Sequence, residues 1–273
     1  MDLSVHAFGA AKKGNDADEY EDAYCFSIAD GRFALADGAT ESSFADAWAR
    51  SLVEEFAQSP PGWTRTGCED LPTWLEPLQT RWRKGIHWDR LPWYAEEKAH
   101  RGAFATLVAV EFMRPGAEEA GLAPESWWHR FKGWLHPGGQ RSVPHWRALA
   151  VGDSCFFQVR ERQLVTAFPL GQACQFDSRP YLLGSNPAAN RALAGELRVS
   201  AGFCEPNDLF ILASDALAQW ILQIHETGGD PWSGLEELHT RKAFLSFVTR
   251  CRQEGKLKND DTTMLLFRWP ESA

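Results

Sequence analysis

Carboxylates set at the edges of apolar, β-prone runs constrain this chain more than any other feature. Glu21-Asp22-Ala23 precedes the run 24–28, Asp37-Gly38 follows 32–36, Ser214-Asp215 follows 208–213, and Asn259-Asp260-Asp261 precedes 262–269. A carboxylate at the end of a buried strand is rigidly aimed, and several brought together repel and raise one another's pKa unless a cation neutralises them. One aspartate at a turn is ordinarily a turn former; four in such places are expected to share cations. All-oxygen ligation favours Mg²⁺ or Mn²⁺ over zinc, which usually takes histidine or cysteine. Two such ions about 3.5–4 Å apart lower the pKa of a bridging water and direct it in line at a phosphorus atom.

The runs around those carboxylates give a coarse layout. Residues 24–28 and 32–36 flank Asp30-Gly31, a hairpin-turn step, and are expected to pair antiparallel. From 41 to 58, Phe44, Trp48, Leu52 and Phe56 recur four apart, the spacing of a helix packed on a sheet, with Thr40 or Ser42 placed to cap it. Leu75, Leu78 and Trp82 predict a helix over 72–83, and 95–101 continues it after Pro92. Residues 102–112 read as a strand entered through small side chains. The stretch 114–144, full of Pro, Gly and Trp, reads as an inserted loop, far longer than the usual connection of about 4–6 residues.

Three short runs, 147–151, 155–159 and 163–167, have the pattern of an antiparallel meander turning at Gly152-Asp153-Ser154 and at 160–162. A looser segment leads to 202. A strand over 208–213, helices over 216–226 and 235–251, and a last strand over 262–269 complete the chain. Strands and helices come in groups, which points to α+β layering rather than strict βαβ alternation.

Composition excludes several classes. The apolar fraction of 44% and charged fraction of 24% are those of soluble globular proteins, and no stretch approaches the roughly 18 apolar residues of a membrane span. The opening residues carry no secretory pattern, so a cytoplasmic location is expected. Six cysteines without a CxxC pair read as reduced, mostly buried thiols. A net charge of −9 argues against sequence-independent nucleic-acid binding, which needs many cations to neutralise phosphates. Neither a GxSxG elbow nor a P-loop is present.

Taken in order, the motifs Glu21-Asp22-Ala23, Ala36-Asp37-Gly38, Gly152-Asp153-Ser154, Ser214-Asp215-Ala216 and Asp260-Asp261-Thr262-Thr263 resemble the signature of the type 2C, metal-dependent serine/threonine protein phosphatases. Gly102-Ala103-Phe104-Ala105-Thr106 is similar to the small-residue strand entry of that family. The matches span nearly the whole chain, which the resemblance makes a single domain over 1–273 carrying the inserted loop. It implies a four-layer α-β-β-α sandwich, two central antiparallel sheets flanked by helices, with two or three Mn²⁺ or Mg²⁺ ions in a cleft at one edge.

By motif position Asp37 would bridge two metals, Gly38 would offer its backbone carbonyl, Asp22 would ligate one ion, Asp215 and Asp260 the other, and Asp153 a further, weaker one. Glu21 would orient metal-bound water. The implied activity is hydrolysis of phosphoserine and phosphothreonine in protein substrates by direct attack of a metal-bridging hydroxide, with Asp37, Asp22 and Glu21 as the catalytic set. Rival readings are a weakly active or inactive module of the same fold that binds phosphorylated partners, and a hydrolase of a small phosphorylated metabolite.

Three features depart from the family pattern, one of them Ala216 in place of the glycine of Ser-Asp-Gly. The glycine-rich stretch after Ala-Asp-Gly is here Ala39-Thr40-Glu41-Ser42-Ser43, and the arginine that often precedes the acidic pair is missing, its place falling near Ala17. Lys13 and Arg179 are the candidates for holding the substrate phosphate. Trp127, Trp128 and Trp134, with Arg130 and Lys132, are read as core cover, and docking of a partner or a membrane surface is the other reading.

Overall fold

A computed structural model of the chain describes residues 3–15, 19–63, 68, 70–91, 93–113, 144–176 and 179–271. Strands β1 (Val5–Ala10), β2 (Ala23–Ser27), β3 (Arg32–Ala36), β4 (Phe104–Ala105), β5 (Leu107–Met113), β6 (His145–Val151), β7 (Cys155–Arg160), β8 (Gln163–Phe168), β9 (Leu183–Gly184), β10 (Arg198–Phe203), β11 (Leu209–Ala213) and β12 (Thr262–Arg268) are arranged with helices α1 (Ala45–Gln58), α2 (Leu71–Gly85), α3 (Trp93–Arg101), α4 (Leu193–Glu196), α5 (Asp215–Glu226), α6 (Pro231–Glu236) and α7 (Arg241–Gln253). Among the described residues, one sheet has the order β1-β12-β11-β7-β8, the second β10-β6-β5-β3-β2, and β4 pairs with β9 in a small third sheet. Every pairing is antiparallel.

The layering follows from strands that are apolar on both faces. In β3, Phe33 and Leu35 point between the two sheets while Ala34 and Ala36 point at α1, as the period of two requires. The same split runs through β5 (Val108 and Val110 against Leu107 and Ala109) and β12 (Leu265 and Phe267 against Met264 and Leu266). Three cores result: one between the sheets, one beneath α1 and α2, and one beneath α5, α6 and α7. That is the four-layer α-β-β-α sandwich. Phe33 and Phe267 stack across the sheet interface with ring centroids 4.1 Å apart.

The Asp30-Gly31 hairpin forms, with Gly31 at φ +69° and Ser27 Oγ donating to Asp30 Oδ2 at 2.5 Å. Helix α1 starts later than its apolar spacing predicts. Ser42 cannot cap it because its hydroxyl is already committed, donating to the Ala39 carbonyl at 2.9 Å and accepting from Phe104 N at 3.1 Å. Phe44 therefore sits at the helix entrance, left-handed and exposed, and Trp48, Leu52 and Phe56 fill the buried face together with Ala45, Ala49, Val53 and Ala57. The expected helix over 235–251 is two helices, because Asp230 caps α6 and Thr240 caps α7, accepting from Ala243 N at 3.2 Å.

The expected meander holds only in its second half, where β7 and β8 pair antiparallel through the turn at 160–162; its first half is corrected. β6 belongs to the second sheet and β7 to the first, so Gly152-Asp153-Ser154 is a crossing between sheets rather than a hairpin. Local pattern cannot separate the two arrangements, since both runs are buried on both faces. Strands β1 and β10 were not legible as strands. The Trp-rich insertion falls on residues 114–143, outside the described residues, and so does Ala17.

Candidate active site

Strand register carries the acidic motifs to one end of the sandwich. Ala23 pairs with Ala36, so Asp22 and Asp37 leave the β2–β3 hairpin at the same end. Leu107 pairs with Val151, which brings the β6–β7 crossing and Asp153 there too. Ala213 pairs with both Cys155 and Met264, placing Asp215 and Asp260 beside that crossing. Five aspartates from five chain segments thus meet along the edges of two sheets.

Asp22 is held from behind by a hydroxyl relay. Thr263 Oγ1 donates to Asp22 Oδ2 at 2.5 Å, and the Tyr20 hydroxyl bonds in turn to Thr263 Oγ1. The Tyr20 ring lies over Gly9, where any side chain would run into it. The other carboxylate oxygen, Asp22 Oδ1, is buried without a partner. Burial, with Asp261 and Asp215 adding repulsion, raises the Asp22 pKa to about 8. Glu21 is half-buried, its pKa raised by burial, and its backbone N–H donates to Asp261 Oδ2 at 2.6 Å. Asp261 Oδ1 also accepts from Lys12 N at 2.8 Å, so this one carboxylate ties the first acidic motif to the last.

Asp37 and Asp153 share a second scaffold. Asp37 N donates to Thr106 Oγ1 at 3.0 Å, Thr106 N donates to the Asp37 carbonyl at 2.8 Å, and Thr106 Oγ1 bonds Ser154 Oγ at 2.7 Å. Thr106 interrupts the expected strand over 102–112, which is divided into β4 and β5 at this residue. Burial, then Asp22, Asp215, Asp153 and Asp260 in turn, push the Asp37 pKa well above the carboxylate range. Asp153 is raised to about 7 by burial and by Asp215. Two glycines are required by contact: a Cβ at Gly38 would lie 2.7 Å from the Glu21 carbonyl oxygen, and Gly152 at φ +95° would put one 2.7 Å from Thr106 Cγ2.

Asp215 and Asp260 form the third part. Ser214 Oγ accepts from Thr263 N at 2.9 Å, joining the end of β11 to the start of β12. Lys258 Nζ lies 2.8 Å from Asp215 Oδ2 and 2.9 Å from Asp260 Oδ2. Under the loop, Arg252 donates to the Ala11 carbonyl at 2.7 Å, to the Asp260 carbonyl and to Thr262 Oγ1, fixing the backbone that carries Asp260.

The donor set fits hard divalent cations. It is all oxygen, its carboxylates depress one another's ionisation, and Asp22 Oδ1 is a buried acceptor with nothing to accept from. Among the described residues no three acidic, histidine or cysteine side chains stand at metal-ligand geometry. Asp215 and Asp260 point their Oδ2 atoms at Lys258 instead. Of the expected phosphate holders, Lys13 is exposed, with its backbone pinned to the Asn259 side chain, its N–H donating to Asn259 Oδ1 at 2.8 Å. Arg179 is exposed. Lys12 stands beside the cluster, its Nζ 3.9 Å from Asp260 Oδ1.

No protein-family model and no curated protein matches the chain by sequence. Solved structures do match by shape. The photosystem II phosphatase PBCP superposes with a TM-score of 0.55 at 14% identity, over 98% of this chain and 99% of that one. The catalytic domain of the serine/threonine protein phosphatase PstP, in complex with two manganese ions, gives 0.56 at 13% identity over 97% of each chain. The Mycobacterium tuberculosis serine/threonine phosphatase PstP/Ppp gives 0.56 at 13% over 98% of this chain and 99% of that one. The chain has the type 2C protein phosphatase fold. At such identities the likeness is one of fold alone.

Within this type 2C fold, sequence reasoning found the aspartates but missed the hydroxyls that hold them. Thr106, Ser154, Ser214 and Thr263 are all almost fully buried; Ser154, Ser214 and Thr263 lie within or next to acidic motifs, which is the signal that was available, whereas Thr106 has no such neighbour. Thr263→Val keeps the shape but leaves Asp22 and Tyr20 without their shared partner. Unfolding in urea without metal is expected to show a loss of about 2 kcal/mol, the cost of a buried polar group left unsatisfied, with Thr263→Ser close to wild type.

Proposed function

We propose that this protein is a Mn²⁺- or Mg²⁺-dependent phosphatase acting on phosphoserine and phosphothreonine in other proteins. The observation that carries the reading is the meeting of Asp22, Asp37, Asp153, Asp215 and Asp260 at one sheet end, with a buried, unpartnered carboxylate oxygen among them. Asp22, Asp37 and the Gly38 carbonyl would hold one ion, Asp37, Asp215 and Asp260 a second, and Asp153 a further one. The PstP domain, solved in complex with two manganese ions, supports a divalent metal at such a site. Divalent ions bound there supply Lewis acidity to the phosphate oxygens and lower the pKa of bound water.

The chain's own residues prepare the site. Five strand ends fix the carboxylates before any ligand arrives, and the Thr263–Tyr20 relay fixes the orientation of Asp22. Glu21, half-buried with a raised pKa, is suited to hold or release a proton beside the cluster. Lys12 carries the cation nearest on the amino-terminal side and is favoured over Lys13 and Arg179 for steering a phosphate.

A second reading has its own support. Lys258 bridges Asp215 and Asp260, as expected of a module that keeps the fold and binds phosphorylated partners with little turnover. Hydrolysis of p-nitrophenyl phosphate and of a phosphothreonine peptide, with and without Mn²⁺, separates the two. Metal-stimulated turnover of both is expected. Metal-independent turnover would sink the mechanism, and phosphopeptide binding by calorimetry with no turnover at saturating Mn²⁺ would establish the second reading.

A further inference from the structure

Lys258 contacts one oxygen of each of two carboxylates, Asp215 Oδ2 at 2.8 Å and Asp260 Oδ2 at 2.9 Å. Each carboxylate's other oxygen accepts a backbone hydrogen bond, Asp215 Oδ1 from Ala216 N at 2.6 Å and Asp260 Oδ1 from Asp261 N at 3.2 Å, with Lys12 Nζ also 3.9 Å from Asp260 Oδ1. The two Oδ2 atoms both point at the same ammonium. That lysine is not locked in. Its side chain is 51% exposed, whereas its neighbour Leu257 is buried and anchors the loop. A long flexible stem on an anchored loop can place its charge between the carboxylates or withdraw it into water with little change of backbone.

We propose that Lys258 is a built-in competitor of the metal: in the metal-free protein its ammonium occupies the place between Asp215 and Asp260 that a divalent ion takes, and so sets how much free metal is needed to load that position. This rests on the metal-site reading above. Lysine is a compact point charge that satisfies two carboxylates without fixed coordination geometry. A divalent ion carries twice the charge but must displace the lysine first, and the displaced ammonium returns to solvent. One of the two negative charges here is thereby balanced without metal, and metal affinity is tuned downward.

Calorimetric titration of the full chain with Mn²⁺ tests this without any assay of turnover. Lys258→Met is expected to tighten Mn²⁺ binding about tenfold and, without metal, to lower the unfolding midpoint, because the two carboxylates lose their shared cation. Lys256→Met is the control for overall charge. It removes one positive charge two residues away, where Lys256 pairs with Glu254 at 2.7 Å, and is expected to leave Mn²⁺ affinity unchanged. Lys258→Gln, polar and uncharged, keeps the test available should the methionine variant fold poorly. Equal Mn²⁺ affinity in wild type and both Lys258 variants overturns the competitor while leaving the metal site standing, as does equal tightening by Lys256→Met. Absence of Mn²⁺ binding in every variant overturns both.

Discussion

Asp37→Asn is expected to reduce Mn²⁺-stimulated hydrolysis of a phosphothreonine peptide by more than about a hundredfold, the upper end of what losing even a partner of a metal ligand costs. The same substitution is expected to make the metal-free protein more stable. Asp37 ends β3 among Asp22, Asp153, Asp215 and Asp260, and burial and then those charges push its pKa upward. An amide of the same shape has no charge to desolvate and none to repel. Each pKa unit corresponds to about 1.4 kcal/mol, and for a chain of this size each kcal/mol moves the midpoint by about 2–4 °C. Kinetics and thermal unfolding in EDTA, on one preparation, read both effects. A drop in activity accompanied by a lower midpoint would indicate damage to the fold, and undiminished turnover would remove Asp37 from the mechanism.

Metal-free protein is also expected to lose stability as pH rises from about 5 to 8, and to recover it when Mn²⁺ is added at pH 8. The sign follows from Asp22 and Asp153, raised to about 8 and about 7 from an ordinary 3.8. In that window the folded chain holds protons that the unfolded chain has released, so each further unit of pH favours unfolding, by up to about 1.4 kcal/mol per carboxyl that differs fully. Well below pH 4 both states are protonated and the effect vanishes. Metal binding at pH 7 must then expel protons, which calorimetry in two buffers of different ionisation enthalpy measures directly. A flat pH profile without metal, or no proton release, would contradict the shared carboxylate field.

Much of the architecture was legible. The Asp30-Gly31 step announced the β2–β3 hairpin, and Trp48, Leu52 and Phe56 announced the buried face of α1, because turn chemistry and helical period are local. The start of α1 was misplaced, since nothing nearby in sequence shows that Ser42 is engaged by Phe104, 62 residues away. Strand β10 was missed because it lies at a sheet edge, with Arg198 and Val199 exposed and no continuous apolar run to mark it.

What the sequence determined by itself was the set of aspartates and their places at strand ends, because a polar step interrupting an apolar run is a local signal and its order along the chain is preserved. Tertiary structure alone decided how the strands divide between sheets. Runs 145–151 and 155–160 are buried on both faces, so their patterns are silent about which neighbours they join, and the choice rests on distant partners in β5, β10 and β11. It also decided what surrounds the carboxylates. Thr263 reaches Asp22 across 241 residues and Lys258 reaches Asp215 across 43, and contacts at such separations exist only once both sheets have closed.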